Sequence, residues 1–282
     1  NVSDFKIYKF TMLHLTFFRS ERAHSTINSI DTSKAMALPG VVAIVTGEDI
    51  KEKILSMPQP VVQPRLPARF PKHWPLAVGK VKFHGEPVAA IISRDKYIGA
   101  DAAELIEVDY TDLPYVGDPE SALKSGAPLV HDDWDDNLIF EMGFTGGDTE
   151  ESQAENDAEV EKIMQTADIV VQKRFRVQRC GVTPMETRGV LANWDESDGM
   201  IAHITTQRPH IDRLALSDIL EIPAEKMRIV APRDQGGGFG VKAPFYREPI
   251  LVCYLAKALG RPVKWVESRQ EHLMVVSQER DQ

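Results

Sequence analysis

The segment Asp234-Gln235-Gly236-Gly237-Gly238-Phe239-Gly240-Val241-Lys242 constrains this chain more than any other. Four glycines in the five positions 236–240 let the main chain come very close to a bulky neighbour and leave its N–H groups uncovered. Phe239 adds one rigid aromatic wall. A strand expected over 227–231 precedes the loop and an expected helix follows it, which is where α/β proteins place their sites. Two nucleotide readings fail on spacing. A P-loop needs Ser or Thr after its lysine, but Ala243 follows Lys242, and the glycines do not give G-x-G-x-x-G. Taken alone, the loop is either a ligand-free turn or a place where something anionic or bulky meets bare backbone.

Composition narrows the class. A chain of 282 residues, 43% hydrophobic and 27% charged, has an ordinary globular balance and room for one large or two medium domains. Its formal net charge of -9 argues against a nucleic-acid partner. Cys180 and Cys253 lie far apart, so neither a disulfide framework nor a cysteine metal site is expected. Cys253 reads as a small core residue, and the cysteine usage fits a reducing, cytoplasmic compartment. No apolar run is long enough to cross a bilayer. Residues 10–18 are apolar but short and interrupted by His14, which suggests a strand, and no signal peptide is visible.

Periodicity divides the chain into an α+β unit over 1–112, a connecting segment with an acidic stretch over 113–166, and a second α+β unit over 167–282. In the first unit, strands are expected at 12–19, 41–46, 88–92 and 106–110, with a helix at 95–105 and a proline-rich loop at 56–75. The acidic stretch 148–161 reads as mobile, solvated surface, because it lacks EF-hand spacing. In the second unit, strong alternation predicts a strand at 169–177. An antiparallel pair is expected at 190–194 and 200–206, with a turn at 195–199. Helices are expected at 208–220 and at 250–259, the latter closed by Gly260, and a short strand at 263–266. Ser268-x-x-Glu271 is a capping box that opens a last helix.

Several motifs then agree in order. Ser29-Ile30-Asp31-Thr32-Ser33, Leu38-Pro39-Gly40-Val41-Val42-Ala43, Thr46-Gly47-Glu48-Asp49, Gly85-Glu86-Pro87-Val88-Ala89-Ala90 and Asp101-Ala102-Ala103-Glu104 resemble the opening domain of molybdenum hydroxylase large subunits. That family includes xanthine oxidase, aldehyde oxidase and aerobic carbon monoxide dehydrogenase. Pro184-Met185-Glu186-Thr187-Arg188-Gly189 is similar to the family's PMEPRG segment. Thr206-Gln207-x-Pro209-His210 and Gly236-Gly237-Gly238-Phe239-Gly240-x-Lys242 resemble its two molybdenum-side loops, and Gly260-Arg261-Pro262-Val263-Lys264-Trp265 with Glu267-Ser268-Arg269 continues the likeness.

The resemblance implies a hammerhead-like N-terminal domain followed by the first part of a molybdenum-cofactor-binding domain. It implies a molybdenum–pyranopterin dinucleotide, hydroxylation of a substrate carbon with water as oxygen source, and electron transfer to iron–sulfur clusters and FAD on other subunits. Gln207 matches the amide that donates to an oxo group beside the metal without ligating it. Gly237, Gly238, Phe239 and Gly240 match the cofactor-side backbone, and Phe239 and Ala243 the substrate pocket. No residue of this chain is expected to ligate the metal.

Other polar groups here have two readings each. His210 is exposed or donates to a ligand. Glu186 and Arg188 are expected to pair with each other. Lys242 is a loop charge or meets an anionic cofactor group.

Two departures matter. Purine-oxidising members carry Glu where this chain has Ala243, which points to a small aldehyde or aromatic N-heterocycle instead. The family's general-base glutamate lies late in the large subunit, beyond the motifs matched here. No catalytic residue is therefore expected in this chain: either the subunit is divided, as in some members, or the sequence is a fragment, and of the two the divided subunit is preferred, with the base on a second molybdenum-subunit chain. Such a partner would bury an obligate-type interface above ~2,000 Å². An iron–sulfur subunit and an FAD subunit complete the expected complex. The competing readings are a non-catalytic binding or assembly protein that keeps the fold and, more distantly, a nucleotide-binding transferase.

Overall fold

The computed structural model describes residues 12–57, 69–141 and 149–276. Residues 10–11 of the first expected strand, most of the proline-rich loop and Asp148 of the acidic stretch lie outside the described residues. The elements, in chain order, are strands β1 (Leu13–Arg19), β2 (Ser25–Asp31), β3 (Val41–Thr46), β4 (Lys80–Val81) and β5 (Pro87–Ser93), helix α1 (Lys96–Ala103), strand β6 (Glu107–Asp112), helix α2 (Glu150–Thr166), strands β7 (Gly189–Asp195) and β8 (Gly199–Ile204), helix α3 (Pro209–Leu220), strand β9 (Met227–Val230), helix α4 (Arg247–Leu259), strand β10 (Val263–Val266) and helix α5 (Arg269–Val275). A few single-turn helices link them.

One mixed sheet runs through both halves of the sequence, in the order β3-β5-β1-β10-β7-β8-β9. Its seam is the parallel pair β1–β10, with Leu13 opposite Val263. β5 is apolar from Pro87 to Ile92 and buried on both faces, as a strand between two neighbours requires. β4, β2 and β6 form a separate three-stranded antiparallel sheet.

Helix α4 lies against β7 and β10 and buries Ile250, Leu251, Val252, Cys253, Leu255 and Ala256. Each large apolar side chain among them contributes roughly 1.5–3 kcal/mol. Burial with no charged partner pushes the Cys253 thiol up to about 12, so it is an inert core group. Gly260, at φ +57°, supplies the left-handed residue that ends α4.

Most expected elements form within a residue or two of their expected bounds. Two expectations need correction. Residues 169–177 form no strand and pair with none among the described residues, and their side chains stand in solvent. Alternation specifies a half-buried strand only if a neighbour takes up its N–H and C=O groups, and none does so here. The acidic stretch is not irregular: residues 150–166 form α2, whose start is fixed by Thr149 Oγ1 accepting from Ser152 N (3.1 Å). It is almost wholly solvated, as expected. Strand β2 is not among the expected strands, because its polar alternation is weak; only its end, 29–31, falls in a motif of the family.

Candidate functional site

Three segments meet beyond the ends of β7, β8 and β9: 184–188, 205–212 and the glycine loop. The first holds the loop at both ends. Glu186 N donates to Gly236 O (3.1 Å), and the Glu186 carboxylate accepts from Gly236 N (3.0 Å) and from Lys242 Nζ (2.7 Å) through the same Oε2. One carboxylate therefore ties the loop's entry to its exit. The Lys242 side chain is fully buried, so its ammonium is a closing contact of the loop rather than a loop charge or a group reaching for an anionic cofactor. Arg188 does not pair with Glu186 either. The expected Glu186–Arg188 bond is replaced by two separate pairs, because adjacent segments offer better-placed partners to each.

Arg188 is the centre of a buried ionic lattice. It donates to Glu267 Oε1 from Nε (2.9 Å) and Nη2 (2.5 Å), and to Glu248 Oε2 from Nη1 (3.1 Å). Its guanidinium lies 3.7 Å from the Tyr246 ring centroid and 5.3 Å from that of Trp265. Glu248 also receives Arg19 Nη2 from β1 (3.0 Å), and Glu267 Oε2 meets His272 Nδ1 (2.9 Å), whose Nε2 donates to Val182 O (2.7 Å). Burial alone would push the Glu248 carboxyl up, but Arg188 and Arg19 outweigh it and hold it at about 2. Burial likewise opposes the charge on Arg188, yet Glu248 and Glu267 leave it above its ordinary value. The lattice thus fixes segment 182–188 against α4, β10 and α5, and that segment in turn holds the glycine loop.

The turn 205–212 places Gln207. Thr206 Oγ1 accepts from Arg208 N (2.9 Å) and donates to Asp212, a buried residue in the first turn of α3. Burial pushes the Asp212 carboxyl up, against the pull of that hydroxyl and of Arg208. Pro209 fixes the helix start. Gln207 then pairs with the loop twice: its N donates to Lys242 O (3.0 Å), and its Oε1 accepts from Lys242 N (3.2 Å). An N–H can face only an acceptor, so the amide oxygen must point inward. Nε2, with two protons, is left as the outward donor.

The loop backbone is specialised in the same direction. Gly236 N, Val241 N, Lys242 N and Ala243 N all have acceptors within the protein. Among the described residues, no acceptor takes up the four intervening N–H groups of Gly237, Gly238, Phe239 and Gly240. Gly237 (φ +96°) and Gly240 (φ +91°) require glycine, and Phe239 itself is held at φ +49°, a strained choice for an aromatic residue. A Cβ on Gly238 would stand 2.7 Å from Gln207 Cδ, so this glycine is what lets the amide lie on the loop. The Phe239 side chain is 70% exposed, and Met185, in the segment that grips the loop, is 93% exposed.

Gln207, Gly237, Gly238, Phe239 and Gly240 therefore come together as the sequence suggests, with Ala243 one turn beyond them. His210 is exposed at the start of α3. The sequence reading missed the double role of Glu186 and the burial of Lys242; Val241 and Ala243 flanking the lysine were the only local hint. Four consecutive donor N–H groups plus an oriented amide fit an oxygen-rich anionic group, and they include no metal ligand. No group of three or more His, Cys, Asp or Glu side chains able to hold a metal ion occurs among the described residues.

The profile of the molybdopterin cofactor-binding domain matches residues 130–282, and that of the aldehyde oxidase and xanthine dehydrogenase a/b hammerhead domain matches residues 2–114. The carbon monoxide dehydrogenase large chain of Afipia carboxidovorans is 37% identical over 281 residues, covering 96% of this chain and 33% of the relative. The structure of quinoline 2-oxidoreductase from Pseudomonas putida 86 superimposes with a TM-score of 0.79 at 34% identity, over 96% of this chain and 33% of that one. The nicotinate dehydrogenase large molybdopterin subunit of Eubacterium barkeri is 26% identical, and 57% of its length is covered. The chain belongs to the molybdenum hydroxylase family, with the α+β fold of the front part of a molybdenum-binding large subunit. It spans about a third of the length of the first two relatives. No helix among the described residues is long and apolar enough to cross a membrane.

Proposed function

We propose that this chain is one component of a molybdenum-dependent hydroxylase that oxidises a small aldehyde or an aromatic N-heterocycle, with water as the oxygen source. The observation that carries the reading is the run of four unsatisfied N–H groups beside an amide whose oxygen is already engaged. When bound, a molybdenum–pyranopterin dinucleotide supplies the centre that takes up the substrate's electrons. Gln207 Nε2 donates a hydrogen bond to an oxygen of that group, and Gly237 to Gly240 present preorganised donors that need no reorganisation during reaction. Phe239 forms a wall of the substrate pocket. Ala243 brings no carboxylate to it, which favours substrates smaller or less polar than a purine.

On this reading the site is divided. The general-base glutamate and the remaining cofactor contacts come from the rest of the molybdenum subunit, and electrons leave through a [2Fe-2S] subunit and an FAD subunit. The exposure of the large apolar side chains of Met185 and Phe239, on two segments of the site, supports such a cover. The test is turnover by the native complex on a panel of an aldehyde, a quinoline-type heterocycle and hypoxanthine. Oxidation of either of the first two, with hypoxanthine poor, is expected. Preference for hypoxanthine would overturn the role given to Ala243.

A further inference from the structure

We propose that His272 is a positioning residue of the site: its ring, protonated on both nitrogens, latches the segment that holds the glycine loop and lets go of it when one of those protons leaves. The effect on turnover rests on the molybdenum-hydroxylase reading above; the latch itself does not. His272 lies in α5 and is wholly buried. Its Nδ1 stands 2.9 Å from Glu267 Oε2, and its Nε2 stands 2.7 Å from Val182 O. Neither partner donates. Val182 O is a carbonyl, and the Glu267 carboxylate already accepts from Arg188 Nε at Oε1 (2.9 Å) and from Arg188 N at Oε2 (3.0 Å). A neutral imidazole has one N–H and one lone pair, so either tautomer presses a lone pair against an acceptor. Only the imidazolium satisfies both contacts.

Charge balance points the same way. The charged groups around the ring are Glu267, with Arg188 behind it, then Glu248 on α4, Arg19 on β1 and Glu271 on α5 itself. With His272 charged, three cations face three carboxylates. With a neutral ring the cluster holds one carboxylate too many, which an interior tolerates poorly. Loss of the proton forces a choice between the two bonds. The one to the carboxylate is charge-assisted and stronger, so the one to Val182 O breaks. Val182 belongs to the stretch that α5 holds by its carbonyls, since Arg269 Nη2 donates to Pro184 O (2.6 Å) and Met185 O (3.1 Å). Pro184 in turn lies against the loop: a Cβ on Gly237 would stand 3.1 Å from its Cβ. Glu186, two residues on, ties the loop's entry to its exit. Slack at Val182 is thereby passed to the backbone that presents the bare N–H groups. The latch is closed while the ring holds both protons and opens as pH rises through the ring's titration.

The natively purified enzyme, wild type and His272→Gln, tests the latch from about pH 6 to about pH 9, a span around the ordinary imidazole value. Three quantities are read: kcat and KM, amide exchange corrected for its intrinsic rise with pH, and the C2 hydrogen exchange of the His272 ring by mass spectrometry, which reports the ring's own titration. In the wild type, kcat should fall roughly tenfold toward alkaline pH, the size expected for one bond from a charged donor. KM should change little, because the bare N–H groups face the cofactor rather than the substrate. Amides of 182–188 and 236–242 should lose protection by a similar factor while those of β5 keep theirs. Both changes should centre on the pH at which the ring titrates. The variant carries its donors on one atom and no charge, so at every pH it should match the wild type at high pH. Protection of 182–188 that does not follow the ring's titration in the wild type would overturn the latch, whether or not the variant folds. Protection that follows the ring in a protein without molybdenum or turnover would keep the latch and sink the functional reading instead.

Discussion

Gly238→Ala isolates the geometry on which the site depends. The new methyl would stand 2.7 Å from Gln207 Cδ and 2.9 Å from Oε1. Comfortable carbon contact needs about 3.5–4.0 Å, so the amide must retreat by roughly 0.8 Å or more. Gly238 is not in the left-handed region, so alanine brings no backbone penalty of its own. The Gln207 amide is a flexible side-chain end and can move, which keeps the structural cost low. Losing the bond from Lys242 N to Oε1, 3.2 Å long, removes about 0.5–1.5 kcal/mol of stability. The functional cost should be larger, because a catalytic donor displaced by about 1 Å can lose about 100-fold in rate, or roughly 2.7 kcal/mol. The assay is kcat/KM of the assembled enzyme, with molybdenum content and melting temperature measured on the same preparation. A near-native melting temperature with turnover down about 100-fold is expected. Full turnover with full molybdenum would show that the position of the Gln207 amide does not matter, and would refute the reasoning.

Three further outcomes follow from the contacts. Glu186→Gln removes the carboxylate paired with the buried Lys242 ammonium; with Glu186 partly exposed, the loss should be roughly 1–3 kcal/mol in urea unfolding, with faster amide exchange across 236–242. Arg188→Met leaves buried Glu248 with Arg19 and buried Glu267 with His272 in place of their shared guanidinium and should cost about 3–5 kcal/mol or prevent folding, whereas Arg174→Met, on a solvent-exposed pair, should cost under about 1 kcal/mol. Glu248 has a folded value of about 2 against an ordinary 4.5. A depressed carboxylate contributes stability that is complete above the unfolded value and lost as pH falls, so about 3 kcal/mol should disappear between about pH 4.5 and pH 2 in acid titrations followed by circular dichroism, and Glu248→Gln should flatten that slope.

The sequence carried the fold where local signals and burial agree. The uninterrupted apolar run of β5, the proline that starts α3, the Gly260 stop and the Ser268–Glu271 capping box each act within a few residues, so each could be read directly. The glycine loop and Gln207 were legible as a pair because glycine spacing and a family motif coincide. What could not be read was long-range choice of partner. Arg188 lies two residues from Glu186 in sequence, yet its carboxylates come from 60 and 79 residues away. Lys242 looks like any loop lysine until the loop folds back on segment 184–188. The alternation over 169–177 was read correctly as a pattern but not as a formed strand, since pairing depends on a neighbour that no local signal specifies. The helix over 150–166 was hidden by its acidity, which says much about solvation and little about backbone conformation.

The central claim is that bare backbone and one oriented amide form half of a molybdenum site. Molybdenum per mole of this chain, measured by plasma mass spectrometry on the natively purified complex and on the chain stripped of its partners, tests it most directly. About one atom per chain in the complex and almost none in the isolated chain are predicted. A stoichiometric metal content in the isolated chain, or none in a turning-over complex, would contradict the account.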